Sequence, residues 1–363
     1  MKRASAIRVL LYSLGTLLLL TLAAGGYFWF SVQRTMHEMY EPLPSVKWEN
    51  PNFEGEEESL SPTSLSQKES SSENERREEK EEKPLSPVVP VSVTDERPSE
   101  PVVISVADVE RLRNPKLSDK EPFTLLLLGV DERPWDRGRS DTMILLTVQP
   151  RSGKAVALSI PRDTRVRMPN SGKYDKINHA YAFGGTPLSV EAVERLFGVP
   201  VAYYMKTNME GLVNIVDTVG GVEVDNPRAF DYEGRSFPQG VQHLDGEAAL
   251  AYSRMRKTDP QGDFGRTQRQ RQIVTDAIDR VADVGTLSKL PKLLSHLSEF
   301  VRTNLTAGNM ANLVMDYRPA IQHVDTLYLQ GQGKMIDGIY YYMVTAEERR
   351  RIQSAILKCL DAE

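Results

Sequence analysis

Residues 123–133 read Phe-Thr-Leu-Leu-Leu-Leu-Gly-Val-Asp-Glu-Arg, and the fold follows from this stretch. From Phe123 to Gly129 the run is nearly continuous and apolar, with no alternation of polar and apolar positions. A strand wet on one face alternates. An unbroken run predicts a strand buried on both faces, inside a sheet that carries helices on either side. Thr142–Val148 and Ala155–Ile160 have the same character. Polar clusters punctuate all three: Asp131-Glu132-Arg133, Arg139-Ser140-Asp141 and Pro161-Arg162-Asp163-Thr164.

Working outward, the spacing predicts a helix near 178–183 and a second over Pro187–Phe197, with Thr186 as its N-cap and Pro187 in the first turn. Val201–Lys206 reads as a strand, Met209–Val219 as a helix capped by Asn208, and Gly221–Asp225 as a strand. Glu247–Tyr252, Arg266–Val281 and Met310–Tyr317 read as helices. Asp325–Gln330 and Ile339–Val344 are expected to pair around a glycine-rich turn, and Thr345 with Glu348 opens a terminal helix. Strands alternating with helices indicate an α/β domain.

The chain ends are of a different kind. Lys2, Arg3 and Arg8 precede an uncharged apolar run from Val9 to Val32. A helix of about 24 residues spans about 36 Å, more than a hydrocarbon core of about 30 Å. The positive flank predicts a cytoplasmic N-terminus at 1–8 and a transmembrane signal anchor at 9–32. A cleavable signal peptide is the competing reading, through Leu22-Ala23-Ala24-Gly25. Yet Tyr27-Phe28-Trp29-Phe30 continues the apolar stretch past such a cut. Residues 41–121 read as a disordered acidic stalk rich in Ser, Glu and Pro. Between 41 and 100 stand sixteen acidic and seven basic residues, with few large hydrophobics to offset ordering entropy.

With a total charge of −5, that acidic segment leaves residues 101–363 nearly neutral. A broad basic face for nucleic acid is therefore absent. The single cysteine, Cys359, cannot form an intramolecular disulfide, so a core within 122–363 must supply the stability.

Local basic density is concentrated in 254–270, Arg-Met-Arg-Lys-Thr-Asp-Pro-Gln-Gly-Asp-Phe-Gly-Arg-Thr-Gln-Arg-Gln. At 100° per residue Arg266, Gln270, Ile273, Ala277 and Val281 share one helix face, so the guanidinium extends the buried stripe. Desolvating it requires an anion, and a set of Arg254, Arg256, Arg266 and Arg269 about Asp263 suits phosphate. An internal Arg–Asp network is the plainer reading. Asp131 and Asp141 meet at one sheet edge if their strands are neighbours. Two carboxylates there suit a magnesium ion, although turn and cap geometry would also explain them. Arg162 either joins the anion site or forms a loop ion pair. Asn178 and His179 begin a helix near the same edge. There is no phosphate loop, dinucleotide fingerprint or nucleophile elbow.

The order of the motifs is more specific than any one of them. Gly-x-Asp-x-Arg, Arg-Ser-Asp-Thr, Ile-Pro-Arg-Asp-Thr, Lys-Ile-Asn-His-Ala, Gly-Gly-Val, Leu-Asp-Gly-x-x-Ala-Leu-x-Tyr-x-Arg-x-Arg and Asp-x-Gly-Arg-x-x-Arg-Gln occur in succession. This series resembles the LytR–CpsA–Psr family of Gram-positive envelope proteins, closely over about 122–283 and more loosely over 284–363. The resemblance implies a three-layer α-β-α sandwich around a central mixed β-sheet, outside the cell membrane. It implies a phosphotransferase that moves an anionic glycopolymer, such as teichoic acid, from a polyprenyl-diphosphate carrier to a muramic-acid hydroxyl of peptidoglycan. Asp131 and Asp141 would hold Mg2+ (or Mn2+), and Arg139, Arg162, Arg254, Arg256 and Arg266 would neutralise the diphosphate with Gln270. Asp263 would orient those arginines or take the acceptor proton. A carrier tail needs an apolar tunnel, for which Met209, Leu212, Val213 and Val216 are candidate walls.

Overall fold

The apolar run forms β1 (Phe123–Val130), and its neighbours form β2 (Ser140–Gln149) and β3 (Lys154–Ser159). The computed structural model describes residues 25–27, 29–44, 48–50, 53, 102–133, 135–256, 259–260, 262–281, 295, 297–321 and 324–361, with Asp263, Phe264 and Val281 described by backbone alone. After β3 come β4 (Arg165–Arg167), β5 (Tyr174–Lys176), a long helix (His179–Phe197) and β6 (Tyr203–Asn208). With the short helix Val106–Arg113 as α1, that long helix is α2.

β1 pairs antiparallel with β2 and parallel with β6, while β12 (Val324–Leu327) pairs parallel with β3. With β11 (Val301–Thr303) antiparallel to β6, six strands form one mixed sheet in the order β11-β6-β1-β2-β3-β12. The pleat divides the β1 leucines between two layers. Leu126 and Leu128 join a core with Tyr181 and Phe197 of α2 and Ile352 and Ile356 of α8 (Ala346–Asp361). Leu125 joins a second core with Leu146, Leu305 and Tyr317. Helices on both faces make the expected sandwich. Leu126 has no exposed surface, and its truncation to Ala would cost about 2–5 kcal/mol.

Between β6 and β11 the chain adds a group of smaller elements with a core of their own. It contains α3 (Met209–Thr218), β7 (Val222–Asn226), β8 (Phe230–Tyr232), β9 (Arg235–Phe237), β10 (Gly240–Leu244), α4 (Gly246–Arg254) and α5 (Asp263–Val281). Asn208 caps α3 by accepting from the Gly211 N–H at 2.8 Å, as expected. The two helices expected around 178–197 are one continuous element kinked at Gly185, whose φ of 67° and ψ of −154° only glycine adopts readily. After β11 come α6 (Ala307–Asp316) and α7 (Arg318–Ile321).

Two expectations need correction. Residues 325–330 do not pair with 339–344; the first joins the central sheet, and the hairpin is β13 (Gln332–Ile336) with β14 (Ile339–Met343). A short half-buried strand does not encode which neighbour takes its hydrogen bonds. Part of the expected stalk is also folded. Ser105 caps α1 through the Asp108 N–H, and α1 buries Val109 and Leu112. Arg113 donates to the buried Glu194 from Nε and Nη2, at 3.1 and 2.5 Å. Burial raises the Glu194 carboxyl above its ordinary range, against the pull of Arg113 and the Val201 N–H. Gln353 pairs with both main-chain groups of Val102, at 2.9 and 3.0 Å. Residues 54–101 lie outside the described residues, as do 1–24 and 28 of the expected N-terminus and anchor. Among the described residues no helix is long and apolar enough to cross a membrane.

Candidate active site

The register of β1 and β2 sets the first half of the site. Gly129 faces Thr142 and Val130 faces Ser140, so Asp141 is an extra residue in a bulge. Bulges re-aim side chains at sheet edges. Here the edge is the carboxyl end of β1, where the Asp131 N–H donates to the Arg139 carbonyl at 3.0 Å. Gly138 closes this loop with φ +69°, and a Cβ there would fall 1.9 Å from the Asp131 oxygen. Asp131 and Asp141 therefore leave adjacent strand ends into one cavity.

Their partners differ. Arg133 reaches Asp131 Oδ2 at 3.2 Å in an exposed pair, which contributes little. Arg162 donates to Asp141 Oδ1 at 3.0 Å, and the Asn178 amide lies 3.4 Å from the same oxygen. Arg162 also lies 3.7 Å from Asp163, whose other oxygen meets Lys176 at 2.7 Å. Arg162 thus orients Asp141 and is not among the residues lining the cavity. Arg139 is exposed, stands outside the lining set, and serves the loop through its carbonyl. His179 turns to Asp175, with Nδ1 at 2.9 Å.

The second half comes from α4 and α5. Arg254 ends α4, and Met255 is extended at φ −57° and ψ 131° and buried. The arginines on either side, Arg254 and Arg256, both line the cavity. Arg266 and Gln270 reach it from α5, followed by Ile273 and Ala277 along the expected stripe. Arg266 is only 6% exposed. The α5 face is therefore cationic near its start and apolar beyond.

Arg269 departs from the expected cluster. Its Nε donates to the Tyr252 carbonyl at 3.0 Å, one Nη to Asp259 at 2.6 Å and the other to the Met255 carbonyl. It fixes the backbone that presents Arg254 and Arg256. The plainer reading, an internal Arg–Asp network, holds for Arg269. Asp259 is its carboxylate partner, and Gly265 leaves room for it, since a Cβ there would fall 1.8 Å from the carboxylate. Asp263 begins α5, and its side chain lies outside the described residues.

The cavity has a volume of about 940 Å³. It is lined from Phe123 to Asp131, so it follows β1 over about 26 Å. Leu125, Leu127, Met205, Val274 and Met310 form its apolar body. Of the four candidate wall residues in α3, Met209 and Leu212 line it, joined by Ile215. Val216 does not: it is fully buried with Val222 and Leu244. Nor does Val213, whose carbonyl packs on Gly246. Periodicity places four residues on one broad face, but α3 is wedged between the cavity and a satellite core. Asn208 and Arg318 also line the cavity and were not singled out from sequence. Asn208 does so in addition to capping α3.

Among the described residues there is no group of three or more His, Cys, Asp or Glu side chains able to hold a metal. The pair Asp131 and Asp141 offers oxygen ligands alone, at an edge with guanidinium groups nearby. That donor set fits a hard cation that keeps several waters and shares phosphate oxygens.

The sequence profile described as the LytR_cpsA_psr family matches residues 63–358. Over 233 residues the chain is 45% identical to the polyisoprenyl-teichoic acid–peptidoglycan teichoic acid transferase TagU of Bacillus subtilis (strain 168), covering 64% of this chain and 76% of that protein. The crystal structure of B. subtilis TagU is similar with a TM-score of 0.56 at 39% identity, covering 67% of this chain and 99% of that one. A structure of TagT bound to LIIa-WTA gives a TM-score of 0.58 at 28% identity, covering 71% of this chain and 99% of that one.

Proposed function

The chain belongs to the LytR–CpsA–Psr family, and from that premise we propose that it is a glycopolymer phosphotransferase. It takes an anionic wall polymer of the teichoic acid class from a polyprenyl-diphosphate carrier. It joins the polymer through a phosphodiester to a muramic-acid hydroxyl of peptidoglycan. The observation that carries this reading is a single cavity with an apolar body along β1 whose lining also holds the carboxylates Asp131 and Asp141 and the arginines Arg133, Arg254, Arg256 and Arg266. That is the complement of a lipid diphosphate: a long apolar tail joined to a compact polyanion. Such a substrate and such an acceptor require the domain to lie outside the cytoplasmic membrane, on an anchor formed by 9–32.

In this reading the tail lies against Leu125, Leu127 and Met310, and the diphosphate meets Arg254, Arg256, Arg266 and Gln270. The acceptor oxygen attacks the phosphorus that bears the glycan. A new P–O bond forms, the diphosphate P–O bond breaks, and polyprenyl phosphate leaves. The acceptor proton passes to a base near the Asp263 end of α5. Guanidinium groups fixed in advance stabilise the charge that spreads over the phosphoryl oxygens, without reorganisation during the reaction. Asp131 and Asp141 would hold Mg2+, which when bound supplies further neutralisation of the diphosphate. Water in place of the sugar hydroxyl would give a slow pyrophosphatase side reaction.

The test is to incubate the purified full chain with polyprenyl-diphosphate-linked polymer and peptidoglycan, with and without magnesium, beside Asp141→Asn. Transfer to peptidoglycan that is lost without magnesium and in the variant supports the reading. Tight carrier binding by folded protein, with no release of polyprenyl phosphate, would replace it with a lipid-binding scaffold.

A further inference from the structure

The cavity wall contains residues that no reading of the catalytic motifs anticipates. Residues 29–39 are helical, and Trp29, Val32 and Met39 line the same cavity as Leu125 and Arg254. Val32, Met36 and Met39 are buried against Leu297, Val301 and Ala307. Spacings of four and three place these positions on one face of the helix. The segment is also tied down at its end. The Glu41 N–H donates to the Thr303 carbonyl at 2.8 Å, and the Tyr204 hydroxyl donates to the Glu41 carbonyl at 2.8 Å. Its position against β11 and β6 is therefore fixed by one main-chain bond and one tyrosine hydroxyl.

Burial at one end contrasts with exposure at the other. Tyr27, Trp29 and Phe30 are exposed, and so is Met315, which lines the cavity from α6. A core tryptophan would be covered, whereas Trp29 lines the cavity and faces solvent. Aromatic side chains of this kind settle at the membrane–water boundary. Val32 is both part of the cavity wall and the last residue of the uncharged run that begins at Val9.

We propose that segment 29–39 is the membrane-side rim of the lipid cavity, so that the carrier's tail enters from the bilayer between this segment and α6. The inference rests on the cavity being the carrier site. It assigns the segment next to the apolar run a part in substrate loading, beyond tethering. A tail taking this route stays in contact with apolar surface throughout and avoids the cost of exposing its length to water. A domain cut away at residue 40 would keep the arginines and carboxylates but lose one wall.

The experiment uses the full chain in phospholipid vesicles and a polyprenyl diphosphate carrying a photoactivatable diazirine on its tail. Label recovered on peptides from 29–39 and α6 is the expected result. Label confined to β1 and α5 overturns the route. No label anywhere overturns the lipid site itself, and the route with it. A second arm compares Val32→Asp with the parent protein on the long-chain substrate and on water-soluble geranyl diphosphate. A carboxylate in the wall should lower long-chain cleavage by about tenfold or more, and by more than it lowers short-chain cleavage, whereas an equal loss on both would count against the route. Unchanged long-chain cleavage would overturn the proposal. Failure of the parent protein to cleave either substrate would instead remove the catalytic reading.

Discussion

Asp259 and Arg269 meet at 2.6 Å with side chains 9% and 6% exposed, and the same guanidinium holds the carbonyls of Tyr252 and Met255. Phe230 and Tyr252 place their rings 5.5 and 5.8 Å from its charge. One buried cation thus sets the course of the backbone that carries two cavity arginines. It acts on the site from behind, without lining the cavity.

Arg269→Met is expected to destabilise the fold by about 3–5 kcal/mol, because Asp259 would stay buried without its cation. Arg269→Lys keeps the charge but cannot reach two carbonyls and a carboxylate together. Its turnover should fall more than its melting temperature. Thermal unfolding and transfer assays on both variants check this, and a Lys variant equal to the parent in both would refute the clamp.

Arg256→Lys should behave differently. Arg256 is exposed, so stability should change by no more than about 0.5 kcal/mol. In the proposed function the substitution removes the planar fork that meets phosphate, and turnover should drop by about tenfold or more. Near-normal turnover would remove Arg256 from the diphosphate site.

The segment before β1 separates into dispensable and structural parts. Deleting 60–98 should leave the melting temperature within about 2 °C of the parent. Deleting 45–118 also removes α1 and Arg113, strands Glu194 in the core and should cost at least about 3 kcal/mol. Equal melting temperatures for the two deletions would contradict the part assigned to α1.

Cys359 gives a pH-dependent signature. Burial pushes its thiol from an ordinary 9.0 up to about 11. The folded state therefore favours the protonated thiol. The associated stability is fully present below the unfolded thiol's value and is lost as pH rises through about 11. At pH 8 only about one thiol in a thousand is ionised, so alkylation of native protein should be slow and rise tenfold per pH unit. Rapid alkylation at pH 8, at the rate of the unfolded chain, would show that α8 does not hold this side chain in the buried face of the helix.

The two-faced sheet was legible because unbroken apolar runs at 123–129, 142–148 and 155–160 have one physical explanation. The α5 stripe was legible because a buried guanidinium among apolar positions is costly and so informative. Other features left no periodic trace. Whether Arg162 and Arg269 would serve a ligand or the protein itself depends on backbone brought in from distant segments. Asp141 owes its direction to a bulge that pattern reading cannot see. The folded α1 was hidden by its polar surroundings, since only Val109 and Leu112 mark its buried face. Gly138 and Gly265 were the signals available for the loop and the clamp, because each leaves room that a side chain would fill with a clash.

The alternation along β1 has a further consequence for how the protein can vary. Leu126 belongs wholly to the packing beneath α2 and α8, whereas Leu125 and Leu127 face the cavity. One strand therefore carries two interleaved sets of positions under separate selection. The first answers to folding, and changes there are punished whatever the substrate. The second lines the cavity and, through Leu125, also packs with Leu146, Leu305 and Tyr317, so an exchange there reshapes the cavity and has to be matched within that second layer, while the packing of Leu126 stays as it is.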